Sequence, residues 1–79
     1  MKILDAVHTN DCNLRITFLE KNKKIVKDVD LQHYLKDHPN IHTRKMANEK
    51  ILSDIDIHLD YLSWKGNVLD IDVNTLYRL

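Results

Sequence analysis

The residues best suited to chemistry in this chain are five aspartates in its last third. Asp54, Asp56 and Asp60 are followed by Asp70 and Asp72, which we predict to lie on a neighbouring strand. Paired carboxylates bind Mg²⁺, or act in acid–base catalysis when one of them is desolvated. No nucleophile in a glycine-rich turn accompanies them, and nothing in the flanking sequence indicates a pocket. A polar outer face that discourages edge pairing is therefore the favoured interpretation. A metal-binding or hydrolytic protein that uses Asp54, Asp56 and Asp70 is kept as a second alternative.

Histidines are the next candidates, because the chain has five of them in 79 residues. His38 and His42 are four residues apart, a spacing that on one helix would let both imidazoles hold a zinc ion. Pro39 interrupts any such helix, and Cys12 or His8 would complete the ligand set only by a coincidence of folding. Cys12 has no basic neighbour that would activate its thiol. We therefore predict no catalytic residues, no metal site and no cofactor, and a protein that is not an enzyme.

Four lysines, Lys21, Lys23, Lys24 and Lys27, cluster around one predicted hairpin and form a candidate basic patch. A surface that reads nucleic acid needs arginines or aromatic rings among its lysines, and none are interleaved here. The net charge of zero also leaves no surplus of cations for phosphate groups. A solvated turn is the favoured interpretation and nucleic-acid binding is not expected. A module of a nucleic-acid-linked transcriptional regulator is the alternative.

Size and composition predict one folded domain over residues 1–79, since 43% of the residues are hydrophobic and 30% are charged. The chain has no apolar run near the roughly 18 residues of a membrane span and no signal peptide, so we expect a cytoplasmic protein without membrane contact. A single cysteine excludes an internal disulfide. Residues 1–50 carry a net charge of +3 and residues 51–79 a net charge of −3, which permits a dipolar surface.

The elements that must position these side chains begin with strands. Alternating apolar and polar residues predict strands at residues 2–8, 13–19 and 24–29, with a turn at residues 9–11 and a tight hairpin at Lys21-Asn22. Asp30 is a predicted N-cap, and Val29 and Tyr34 are spaced for a hydrophobic staple around it. The helix that follows must end before Pro39.

The second half repeats helix and strand signals. A helix is predicted at residues 43–52, with Met46, Ala47 and Ile51 buried and Asn48 as an alternative cap. Strands at residues 54–59, 61–64 and 68–71 follow, and Asp72 opens a last helix. The prediction is an α+β fold in the order β-β-β-α-α-β-β-β-α: a small antiparallel sheet covered on one face by two or three short helices. Five residues of matching phase are predicted to share the covered face: Trp64, Ile57, Leu62, Ile16 and Phe18.

The C-terminal segment carries a resemblance to a known family. The residues are Trp64-Lys65-Gly66-Asn67, then Asp70-Ile71-Asp72-Val73-Asn74-Thr75-Leu76-Tyr77. They resemble the bacterial family domain of unknown function 2442, in which a Trp-Pro-Asn-Gly turn precedes Asp-Ile/Leu-x-Pro-Asp-Thr-Leu-Tyr. Here Lys65 and Val73 stand where the family has proline, and Gly66 and Asn67 are exchanged. The resemblance implies a small bacterial α+β protein, often encoded near small toxin-antitoxin-like partners, and it carries over no catalytic residues.

These observations favour a non-enzymatic protein-binding or regulatory module, for which the resemblance implies a neighbouring small toxin-antitoxin-like protein as the partner. Trp64, Asp70 and Tyr77 are the candidate partner-binding residues, because buried aromatic rings dominate protein interfaces and the resemblance implies an acidic residue at position 70. A core position is the competing interpretation for both rings. Open strand edges in so small a domain also predict self-association as a twofold dimer, with the sparsely charged strand at residues 2–8 as the candidate edge.

Overall fold

The computed structural model of the chain describes residues 1–39, 41, 43–45, 52–64 and 69–79. These residues form six strands and short helices, a mixed α+β architecture that is mostly strand. In chain order the elements are β1 (Lys2–Asn10), β2 (Asn13–Glu20), β3 (Lys23–Asp30), α1 (Gln32–Lys36), β4 (Ile55–Ile57), β5 (Tyr61–Trp64), β6 (Leu69–Asp72) and α2 (Val73–Arg78). Ile41 and residues 43–45 are also helical. The described helices are all too short and insufficiently apolar to cross a membrane.

The first three strands form an antiparallel sheet in the order β1-β2-β3, called sheet 1 here. Its second hairpin is the predicted one: Glu20 pairs with Lys23, and Lys21 and Asn22 have φ angles of 48° and 66°. Two successive positive φ angles are the signature of a type I′ turn, whose twist matches that of the flanking strands. The hairpin prediction is therefore confirmed. The first hairpin turns at Asp11, with φ 47°, two residues after the start of the predicted turn at Thr9, because β1 continues to Asn10.

A bulge in β1 interrupts the alternation predicted for residues 2–8. Ile3 pairs with Phe18 and Asp5 with Thr17, so Leu4 is the extra residue and remains 41% exposed. The buried residues of β1 are consequently Ile3 and Ala6, three positions apart. An extra residue bends a strand and disrupts its ladder, so the first strand cannot keep one face toward the core by simple alternation.

The last three strands form a second antiparallel sheet in the order β4-β5-β6, called sheet 2 here. The single predicted sheet is thus divided in two. The backbone N–H of Ile3 donates to the carbonyl of Leu59 at 2.7 Å, which ties the beginning of β1 to the hairpin after β4. The ladder does not continue from this bond, since β1 bulges at the next residue and β4 is only three residues long.

Aspartate side chains accept backbone hydrogen bonds near the starts of α1 and α2. The Asp30 carboxylate accepts a hydrogen bond from the Gln32 N–H at 2.9 Å, although α1 begins one residue later than predicted, with Leu31 at its N-cap position. Asp72 is the N-cap of α2, as predicted, and accepts from the Asn74 N–H. The helix predicted at residues 43–52 falls mostly outside the described residues, and so do Met46, Ala47, Asn48 and Ile51. His42, Lys65 and Gly66-Asn67 lie outside them too.

One hydrophobic core joins both sheets, α1 and α2. The predicted members Trp64, Leu62, Ile16 and Phe18 are fully buried. They lie in one cluster with side chains of α1 and α2, among others Leu35, Val73 and Leu76. Ile57 is the exception, since it is 42% exposed. It is the last residue of the three-residue strand β4, and its prediction as a core residue is wrong.

Candidate binding surface

The structure does not bring the three candidate partner-binding residues to one surface. Trp64 is fully buried, and its indole N–H donates to the Leu52 carbonyl at 3.1 Å. Asp70 pairs with Ser63 on the opposite face of sheet 2 and is exposed. Trp64 therefore has a core position, while partner binding by Asp70 stays a prediction.

Tyr77 is half-buried on α2 and connects that helix to sheet 1. Its ring meets the Phe18 ring edge-on, with 5.2 Å between centroids and 89° between planes. The Lys27 ammonium lies 4.6 Å from the centroid of the Tyr77 ring and donates a hydrogen bond to the Tyr77 carbonyl. A cation at this position interacts favourably with both the ring face and the carbonyl end of the helix.

The same contact removes Lys27 from the basic patch predicted at the hairpin. Lys27 pairs with the buried Ile16, so its side chain is on the core side of β3, half-buried under α2. The other three members, Lys21, Lys23 and Lys24, are exposed. The patch is therefore smaller than its sequence spacing indicated, because strand alternation directs one lysine of the cluster inward.

The aspartates spread over sheet 2 and its turns. Asp56 and Asp70 flank Ser63 in one row across the three strands, and both are exposed. Asp54 precedes β4, and Asp60 accepts a backbone hydrogen bond from Val73 at 2.8 Å. Among the described residues, no three His, Cys, Asp or Glu side chains are arranged to hold a metal ion.

Asp72 has a structural assignment, as the cap of α2. The hydrogen bond donated by the Thr75 hydroxyl lowers the pKa of the Asp72 carboxyl, and the Asn74 N–H adds a second bond. The negative charge of Asp72 also acts on Tyr34: burial, with this charge as the smaller cause, raises the pKa of the Tyr34 phenol. The Asp72 carboxylate is therefore used to cap α2.

One polar pair was missed by the sequence reasoning. The Ser63 hydroxyl lies 3.4 Å from Nε2 of His58, and the His58 ring stacks on Tyr61 with 4.1 Å between centroids. Serine beside histidine is the arrangement of an activated nucleophile. Here Ser63 is only 1% exposed, and no carboxylate among the described residues is bonded to His58. The pair satisfies a buried hydroxyl and gives substrate no access to it.

One surface feature that sequence patterns did not indicate is the outer face of sheet 1, opposite the core. Val7 and Val26 are 51% and 60% exposed there, and Thr17 lies half-buried in the strand between them. Arg15 pairs with Asp28 across this face at 3.0 Å. By register the face comprises Lys2, Asp5, Val7, Arg15, Thr17, Leu19, Lys24, Val26 and Asp28. Alternation predicted which residues face outward, but not that no described element covers them.

No protein-family model, curated protein or solved structure matches this chain.

Proposed function

We propose that this chain is a non-enzymatic protein-binding module whose binding surface is the outer face of sheet 1. The observation that carries the proposal is the exposure of β-branched side chains on that face, with Val7 at 51% and Val26 at 60%. Exposed apolar residues rimmed by charged ones are typical of protein interaction sites. Arg15 and Asp28 form such a rim and would orient a partner.

The chemistry of the remaining candidates supports binding over catalysis. The aspartates Asp56 and Asp70 are exposed, so neither carboxylate is desolvated as acid–base catalysis requires. Ser63 is covered, and Asp72 is engaged by its own helix. A hydrolytic or metal-binding role at Asp54, Asp56 and Asp70 is the weaker alternative for this reason. The resemblance to domain of unknown function 2442 supports a small protein as the partner, encoded beside this chain in a bacterial genome.

The proposal is tested by co-expressing the chain with the product of its neighbouring gene and measuring their affinity. We expect Val7→Glu to weaken the complex at least about tenfold, because a bound partner would remove water from the new carboxylate without supplying a partner for its charge. Ile41→Glu is the matched control, since Ile41 is 65% exposed but lies outside both sheets. It should bind like wild type. Unchanged affinity of the Val7→Glu variant, or no complex with wild type, would overturn the proposal.

A further inference from the structure

We infer that a second copy of this chain pairs with the open edge of β3, antiparallel and around a twofold axis at Val26. Strand β3 is eight residues long and ends sheet 1, and no described strand pairs with its outer edge. The inference goes beyond the proposed function, because it does not depend on any protein bound to the outer face.

The register of the β2–β3 hairpin shows which backbone groups this edge offers. Glu20 and Lys23 flank a two-residue turn, so they form a hydrogen-bonded pair, and such pairs alternate along the ladder. Lys23, Ile25 and Lys27 therefore direct their N–H and C=O groups toward β2. Lys24, Val26 and Asp28 direct theirs to the open edge, where water or another strand must satisfy them.

Pairing around Val26 satisfies all three of these residues. In an antiparallel pair centred on Val26, Val26 lies opposite Val26 of the second copy and Lys24 lies opposite its Asp28. Each pair exchanges two N–H···O bonds. Two Lys24–Asp28 pairs of opposite charge then flank one Val26–Val26 apolar pair. Cross-strand pairs of opposite charge and of apolar side chains both stabilise sheets. Lys24, Val26 and Asp28 are all exposed in the single chain.

The neighbouring registers are less favourable, because each brings like charges together. Directly opposite residues of paired strands point to the same face of the sheet. The twofold axis can therefore move along β3 only in steps of one whole residue if outward side chains are to stay opposite outward ones. A centre at Lys27 places two lysines against each other and Val26 against Asp28. A centre at Asp28 opposes two carboxylates. A centre at Ile25 brings Lys23 against Lys27, again two like charges. The Val26 register alone among these has no like-charge pair.

Lys27 does not block this pairing, although an inward lysine on an edge strand usually does. Such a lysine protects an edge by extending past it into water, which a second strand would prevent. Here the ammonium of Lys27 is turned toward α2, where it lies over the Tyr77 ring and is bonded to the Tyr77 carbonyl. Its charge is satisfied within its own chain and needs no path past the edge.

A disulfide tests the position of the axis. Opposite residues of a hydrogen-bonded pair have Cα atoms about 5.5 Å apart, within the range that a disulfide spans. We expect Val26→Cys to give a disulfide-linked dimer under mild oxidation. Val7→Cys, at a similarly exposed valine of the same face, should form no disulfide-linked dimer. Peptide mapping identifies position 26 on both sides and excludes the buried Cys12. Equal cross-linking of both variants, or none in Val26→Cys, would contradict the proposed axis.

Charge reversal tests the register in solution. Wild type should be a dimer by light scattering, whereas Lys24→Asp alone and Asp28→Lys alone each place like charges together twice and should be monomers. Mixing the two variants restores opposite charges at both positions, so a one-to-one heterodimer should form. Circular dichroism checks that each variant is folded. Loss of the Arg15–Asp28 ion pair in Asp28→Lys should cost little stability, because both side chains are exposed. A monomeric wild type, or variants that fail to associate on mixing, would overturn the inference.

Discussion

At the scale of single residues, Trp64 is the side chain on which the fold depends most. It is the largest fully buried one, and its N–H bonds to the carbonyl of Leu52, outside any strand. We expect Trp64→Ala to lower the free energy of unfolding by about 3–5 kcal/mol, through the lost burial and the cavity left behind. Urea denaturation followed by circular dichroism measures the change. A denaturation curve like that of wild type would show that the ring is not core.

Trp64→Phe is the matched variant for this prediction. It keeps an aromatic ring in the core but leaves the Leu52 carbonyl without its donor. We expect a loss smaller than that of Trp64→Ala, because an aromatic ring still fills much of the space. Equal destabilisation of the two variants would show that the hydrogen bond contributes more than the burial of the ring, and would contradict the prediction.

At the scale of elements, the start of α2 depends on Asp72. Its carboxylate accepts from the Asn74 N–H and the Thr75 hydroxyl, two bonds that satisfy the first turn of the helix. We expect Asp72→Ala to cost about 0.5–2 kcal/mol at pH 7, the usual range for a lost N-cap. Thermal or urea denaturation measures it. Asp54→Ala is the control, since it removes the same charge from an exposed position before β4, and it should change stability little.

The cap of α2 also has a pH dependence with a definite sign. The hydrogen bond from Thr75 lowers the pKa of Asp72 in the folded protein below that of the unfolded chain. The stability that the charged cap contributes is therefore fully present above the unfolded pKa and is lost as pH falls through the folded pKa. We expect the stability difference between wild type and Asp72→Ala to shrink in that acidic range. A constant difference down to pH 2 would contradict the role of the charged carboxylate.

At the scale of the whole molecule, charge disfavours nucleic acid as a partner. The net charge is zero, and the exposed lysines of the hairpin number three once Lys27 is turned toward Tyr77. We expect no binding to a labelled DNA or RNA duplex tighter than about 10⁻⁴ M at physiological salt, measured by fluorescence anisotropy. Micromolar binding that disappears in the Lys21→Glu, Lys23→Glu, Lys24→Glu variant would instead support the transcriptional-regulator alternative.

Local features of this protein were predictable from the sequence. The turn at Lys21-Asn22 and the cap at Asp72 each involve groups only two or three residues apart. Neighbouring residues of the sequence therefore determine them. Strand alternation likewise predicted that Ile16, Phe18, Leu62 and Trp64 are buried. Such features follow from backbone sterics and side-chain period, which act over one turn or one strand pair.

The tertiary structure decided which strands and helices are neighbours and which side chains pack on each face. The Ile3–Leu59 hydrogen bond links β1 to the turn after β4, but the bulge at Leu4 follows at once and the strands remain in two sheets. Lys27 is withdrawn from the basic patch by Tyr77, which is 50 residues away in the chain. The three candidate partner-binding residues are close in sequence but not on one surface. Trp64 and Asp70 lie on opposite faces of sheet 2, and Tyr77 lies on α2. Alternation assigns a residue to one of two faces, whereas burial depends on what packs there, and that is fixed by contacts between distant segments.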